Sequence, residues 1–174
     1  TTVAQTEKPT SGTPTTGLSS RLMIGYYHTW DNAGNPFIKL RDVDSNWDVI
    51  NISFAEPVSV GSADGKMRFN ITGLSSSYTK EDFKQDIKTL QAKGKKIVLS
   101  IGGYEGYFSL DSQAAVNQFV SDIKGFVDEY GFDGIDIDLE QSSVQFAQGN
   151  DKDIRKINSP KLANMVSAIK TIVH

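Results

Sequence analysis

The chain has 174 residues, 38% of them apolar and 22% charged, with a net charge of −3 and no cysteine. That length suits one domain with its own core, and the weak negative charge gives no electrostatic reason to bind nucleic acid or an anionic membrane. Disulfides, thiolate chemistry and cysteine-ligated metals are excluded, and no apolar run is long enough to span a bilayer.

Residues 1–20, TTVAQTEKPTSGTPTTGLSS, are Thr, Ser, Pro and Gly with almost nothing to bury. They read as a flexible linker or tail, either a loose N-terminus or a tether to an upstream module. No charged-then-apolar leader opens the sequence, so the expectation is a signal peptide absent or already removed. From residue 21 the pattern alternates. RLMIGYYHTW (21–30) is a strand that turns at Asp31–Pro36, and 37–48 is a short helix with Leu40, Val43 and Trp47 inward. VINISFAEP (49–57) is a β-branched strand stopped by Pro57. Thr79 with Asp82 resembles a capping box, and Phe83, Ile87 and Leu90 share the face of the helix that follows, ending at Gly94. KKIVLSIGGY (95–104) is a strand closed by two glycines. Residues 112–130 repeat Val116, Phe119, Val120, Ile123, Phe126 and Val127 at helical spacing. FDGIDIDLE (132–140) is the fourth strand, and Ser159-Pro160 opens a last helix with Leu162, Met165, Val166, Ile169 and Val173 inward. Strands alternating with helices predict a parallel sheet covered by helices, the α/β class.

The fourth strand carries the chemistry. Side chains alternate across a strand, so Ile135, Ile137 and Leu139 take one face and Asp136, Asp138 and Glu140 the other. Three carboxylates buried under helices would each cost several kcal/mol unless paired, roughly. A barrel interior near its mouth houses them better. Acids about 6–7 Å apart along one strand cannot all ionise easily, which predicts one carboxyl holding a proton near neutral pH. Glu140, nearest the strand's C-terminal end, is the natural general acid. An exposed edge strand with a solvated acidic face is the plainer alternative, and a carboxylate-bound Mg²⁺ or Ca²⁺ site is a weaker one. His28 and His174, the only histidines, do not suffice for a multi-histidine metal site. We expect no metal and no cofactor.

Asp133-x-x-Asp136-x-Asp138-x-Glu140 resembles the DxxDxDxE signature of glycoside hydrolase family 18, the chitinases and related endo-β-N-acetylglucosaminidases. LSIGGY at 99–104 resembles that family's SxGG segment, and GYY at 25–27 and NISFAE at 51–56 its first two strands. The resemblance implies a (β/α)8 TIM barrel, of which residues 21–174 supply about the first four βα units, and a retaining, substrate-assisted mechanism. It implies catalytic roles for Glu140 as acid and base, Asp138 as orienter of the substrate's N-acetyl group, and Asp136 as its partner, with Ser100 donating a hydrogen bond behind it. Tyr26 and Phe54 would line the sugar pocket, and Gly102 and Gly103 would turn the chain beside the substrate. Tyr27, Trp30 and Tyr104 are further cleft candidates. Asp133, on the opposite strand parity, has a structural role, and Gly134 permits close packing.

The implied substrate is chitin or an N-acetylglucosamine oligosaccharide, and the implied setting is secreted, extracellular and bacterial. An endo-β-N-acetylglucosaminidase acting on N-glycans, or a non-catalytic chitin-binding relative, is the alternative; the presence of Glu140 argues against the latter. Half a barrel has two unpaired edges, so the further expectation is a complementary C-terminal half-barrel chain carrying strands five to eight.

Overall fold

The computed structural model describes residues 21–140, 143, 155–156 and 158–174. The expected linker, 1–20, lies outside the described residues. The elements run β1 (Ile24–His28), β2 (Val49–Pro57), β3 (Met67–Phe69), α1 (Lys80–Ala92), β4 (Lys96–Gly102), α2 (Gln113–Tyr130), β5 (Gly134–Asp138) and α3 (Pro160–Val173). Four strands form a parallel path in the order β1-β2-β4-β5, and β3 pairs antiparallel with the end of β2. All four strands expected from the sequence are present, and so are the three long helices.

The core lies between the sheet and its helices. Ile50, Ile52 and Ala55 of β2 and Ile97, Leu99 and Ile101 of β4 are buried on one face of the sheet. Phe83, Ile87 and Leu90 from α1 and Val116, Phe119 and Ile123 from α2 belong to the same cluster. Each such side chain contributes roughly 1.5–3 kcal/mol by leaving water. The α1 cap is a complete capping box: Thr79 Oγ1 accepts from the Asp82 N–H, and the Asp82 carboxylate accepts from the Thr79 N–H. Met165 and Trp47 pack against the core as expected, whereas Val173, placed inward by its spacing, is 59% exposed at the end of α3.

Residues 37–48 do not form the expected short helix. Only a 3-10 turn, Leu40–Asp42, is present. Asp44 takes the Asn46 N–H with its side chain, the local alternative to helical bonding that Asp and Asn favour. Leu40 is nevertheless buried, and its N–H donates to the Tyr78 hydroxyl at 3.0 Å. Tyr78 in turn donates to Asp86 at 2.7 Å, and the Arg41 Nε pairs with the same carboxylate oxygen at 2.9 Å. Strand β3 had no sequence signal, since three residues are too few to show alternation. Its Met67 N–H donates to Asp122 of α2 at 2.9 Å, which ties the excursion back to the body.

Asp133 holds the start of β5. Its carboxylate accepts from the Ile97 N–H at 2.9 Å and from Gln91 Nε2 at 3.0 Å, and it pairs with Lys96 Nζ at 3.1 Å. Burial raises the Asp133 pKa, but these donors outweigh it and leave the carboxyl below its usual range. The structural role expected from its parity is what the structure shows. Gly134 is different: a Cβ there would meet only Val98 Cγ1 at 3.9 Å, ordinary contact, so close packing does not require the glycine.

Candidate active site

The register of β4 against β5 sets the site. Ser100 lies opposite Asp136, and Gly102 opposite Asp138. Ser100 Oγ donates to Asp136 Oδ2 at 2.7 Å, and the Tyr26 hydroxyl, reaching across from β1, donates to the same oxygen at 3.0 Å. Strand β1 pairs with β2 and β5 with β4, so this contact spans the concave face of the curved sheet. Tyr26 is 51% exposed, not the core residue its strand position alone suggests. Loss of water around its hydroxyl, then the hydrogen bond and charge of Asp136, raise its pKa, while a hydrogen bond from Asn51 works against them. Tyr26 therefore remains a proton donor at neutral pH.

Asp138 and Glu140 continue the row beyond Asp136. Among the described residues neither carboxylate makes a hydrogen bond, and Asp136 is bonded to Tyr26 and Ser100 rather than to Asp138. Asp138 is half-buried and Glu140 exposed at the strand's end. Asp136 is thus on the concave side, where the two-residue strand period also puts Asp138, away from the face that holds Ile135 and Leu139 against the core. The Gly103 N–H donates to the Asp138 carbonyl at 2.8 Å. At Gly102, with φ of +109°, a Cβ would stand 2.2 Å from that carbonyl oxygen, and at Gly103, with φ of +85°, 3.0 Å from the Phe54 ring. Only glycine fits these two positions, which is the structural content of the sequence's Gly pair.

A cleft of about 680 Å³ starts at Gly102 and Gly103 and runs over the ends of β2 and β3. Phe54, Trp30 and Tyr104 supply aromatic surface, and Glu56, Arg68 and Asn70 supply polar groups. The Trp30 and Phe54 rings stack with centroids 6.1 Å apart, and Phe54 contacts Tyr26 at 6.2 Å. The acid row flanks this cleft instead of lining it. Tyr104, 68% exposed, projects from the rim, whereas Tyr27 is buried on the helix side and is no cleft residue. His28 donates through Nδ1 to the Trp30 carbonyl at 2.7 Å, since a carbonyl can only accept.

The structure thus joins Tyr26, Ser100 and Asp136 directly, places Phe54, Gly102 and Gly103 on the cleft wall, and sets Asp138 and Glu140 beyond them. Sequence reasoning missed Glu56 and Arg68. They are cross-strand partners in the β2–β3 pair, and their ion pair at 3.4 Å stands on the cleft wall. Only recognition of the short β3 would have revealed them. Among the described residues, no group of three or more His, Asp and Glu side chains is arranged to hold a metal ion, and no helix is long and apolar enough to cross a membrane.

A parallel sheet backed by helices, with carboxylates towards the C-terminal end of a strand, is the α/β architecture of a partial barrel. The family model for glycosyl hydrolases family 18 matches residues 22–171, and the chain belongs to that family. Chitinase D of Niallia circulans is 43% identical over 154 residues, covering 88% of this chain and 28% of the relative. Exochitinase 1 of Streptomyces olivaceoviridis is 37% identical over 168 residues, covering 96% of this chain and 28% of the relative. Among solved structures, a family GH18 chitinase from Chromobacterium violaceum matches with a TM-score of 0.71 at 35% identity, covering 88% of this chain and 37% of that one. The chain spans 28% of the length of these curated relatives, and its sheet is part of a (β/α)8 barrel.

Proposed function

We propose that this chain carries the catalytic row of a chitinase: a retaining, substrate-assisted hydrolase of β-1,4 bonds in chitin and N-acetylglucosamine oligomers. The observation that carries the reading is Asp136 in β5, held by Tyr26 and Ser100, with Asp138 and Glu140 following it at two-residue spacing. Chitinases among the relatives support the substrate class. In the proposed reaction Glu140 gives its proton to the glycosidic oxygen as the bond to the anomeric carbon breaks. The acetamido carbonyl oxygen of the same sugar attacks that carbon, and Asp138 orients the amide and balances the positive charge of the resulting oxazolinium ring. Glu140, now a carboxylate, takes a proton from water as the water opens the ring. That restores the starting acid and gives net retention.

Asp136 would secure Asp138's side of the row, and Phe54 and Tyr26 would offer aromatic faces to the sugar ring. The outer edges of β1 and β5 have no strand partner among the described residues. We infer that further strands close them into a barrel, in the same polypeptide or a complementary one. Secretion fits a polymeric substrate that stays outside the cell. The test is Glu140→Gln in the whole enzyme: hydrolysis of chitin oligomers should fall by at least about 100-fold while oligomer binding persists. Retained turnover would remove Glu140 from its role and sink the mechanism.

A further inference from the structure

Ser53 is 2% exposed, and its hydroxyl is the one buried side-chain polar atom without a hydrogen-bond partner among the described residues. An orphaned buried hydroxyl is uncommon and calls for a physical reason. Its place in the sheet supplies one. Strand β2 pairs Ile52 with Leu99 and Ala55 with Ile101, so two residues, Ser53 and Phe54, stand against the single residue Ser100. Asn51, paired with Val98, bonds the Tyr26 hydroxyl that reaches Asp136, and the two-residue strand period puts Ser53 on the same face. Ser53 is therefore the β2 neighbour of Ser100.

Ser100 is 0% exposed, and its hydroxyl donates its only proton to Asp136. Its oxygen lone pairs accept nothing among the described residues. A buried donor lacking an acceptor thus stands on the strand next to a buried acceptor lacking a donor. Two serine hydroxyls on adjacent strands that turn towards each other form an O–H···O bond of roughly 2.7–2.8 Å.

We propose that Ser53 is a positioning residue for the acid row: its hydroxyl donates to Ser100 Oγ, whose own proton is thereby committed to Asp136. The chain Ser53–Ser100–Asp136, with Tyr26 on the same carboxylate oxygen, fixes which way the Asp136 carboxylate faces and supports its negative charge. The groups around this carboxylate are Tyr26 on β1, Ser100 on β4, Asn51 on β2 and Asp138 on β5. The effect of Ser53 is read on the aspartate carboxyls of the row. The catalytic consequence rests on the proposed chitinase reading; the hydroxyl chain itself does not.

The test uses the whole enzyme labelled with ¹³C at its aspartate carboxyls, as wild type, Ser53→Ala, Ser100→Ala and the double variant. A donor chain stabilises the charged form, so Ser53→Ala should raise the titration midpoint of the row by about 0.3–1 pH unit. The shift should vanish in the Ser100→Ala background, and the acidic limb of turnover on N-acetylglucosamine oligomers should move with it. Ser53→Cys, a weaker donor of similar size, should shift the midpoint in the same direction and less, and it serves if the alanine variant fails to fold. An unchanged midpoint with unfolding at or above the wild-type temperature marks an idle hydroxyl and overturns the proposal. So does an equal shift in both backgrounds. A Ser100-dependent shift in an enzyme that turns over no oligomer would instead sink the chitinase reading and leave the hydroxyl chain standing.

Discussion

Replacing Asp133 with alanine tests whether the start of β5 is pinned by the contacts described above. The substitution strips an acceptor from the part-buried Ile97 N–H, from Gln91 Nε2 and from Lys96 Nζ. An unsatisfied buried N–H costs about 1–3 kcal/mol. The Lys96 pair, with the lysine side chain 49% exposed, adds about 0–1 kcal/mol after solvent screening. Gln91 also donates to the Gly131 carbonyl and keeps that bond. The expected loss is about 2–3 kcal/mol, read from urea denaturation at pH 7. The pH dependence carries a definite sign. The folded-state pKa of Asp133 is depressed, so its contribution is present above the unfolded-state value, near 3.8, and is lost as pH falls through the lower folded-state value. The gap between variant and wild type should therefore be constant from about pH 5 upward and narrow only in more acidic solution. A loss under about 0.5 kcal/mol, or a gap that closes near neutral pH, would refute the reasoning.

Gly102→Ala should reduce turnover and stability together, because the added Cβ at 2.2 Å from the Asp138 carbonyl displaces the strand that carries the acids; unchanged kinetics would show that the glycine is incidental. Tyr78→Phe removes the hydroxyl that joins Leu40 and Asp86 and should cost about 2–3 kcal/mol in thermal or urea unfolding. A cost near zero would mean that Arg41 alone secures Asp86. The 174-residue chain should self-associate in sedimentation unless a polypeptide supplying the remaining strands is co-expressed; a soluble, well-folded monomer would refute the inferred barrel closure.

Much of this protein is legible in the sequence because its signals are local. The α1 capping box needs only Thr79 and Asp82 at the right spacing. The helical faces of α1 and α2 need only the recurrence of apolar residues every three or four positions. The acid row needs only the two-residue period of a strand, and that same period assigned Asp133 to the other face. Side-chain type and spacing fix these features through backbone geometry, whatever the rest of the chain does.

What the sequence could not settle depends on which strands become neighbours. Without the family resemblance, which puts Tyr26 at the sugar pocket, its position in an apolar strand reads as core; the curvature that brings β1 towards β5 makes it a donor to Asp136. Residues 37–48 carry a helical spacing, but the Asp and Asn side chains compete for the backbone and leave a single 3-10 turn. Glu56 and Arg68 form a cleft wall because β3 turns back on β2, and Ser53 and Phe54 together stand against Ser100 because β2 carries one residue more than β4 there. Pair register is a property of two strands together, and neither strand's own sequence encodes it.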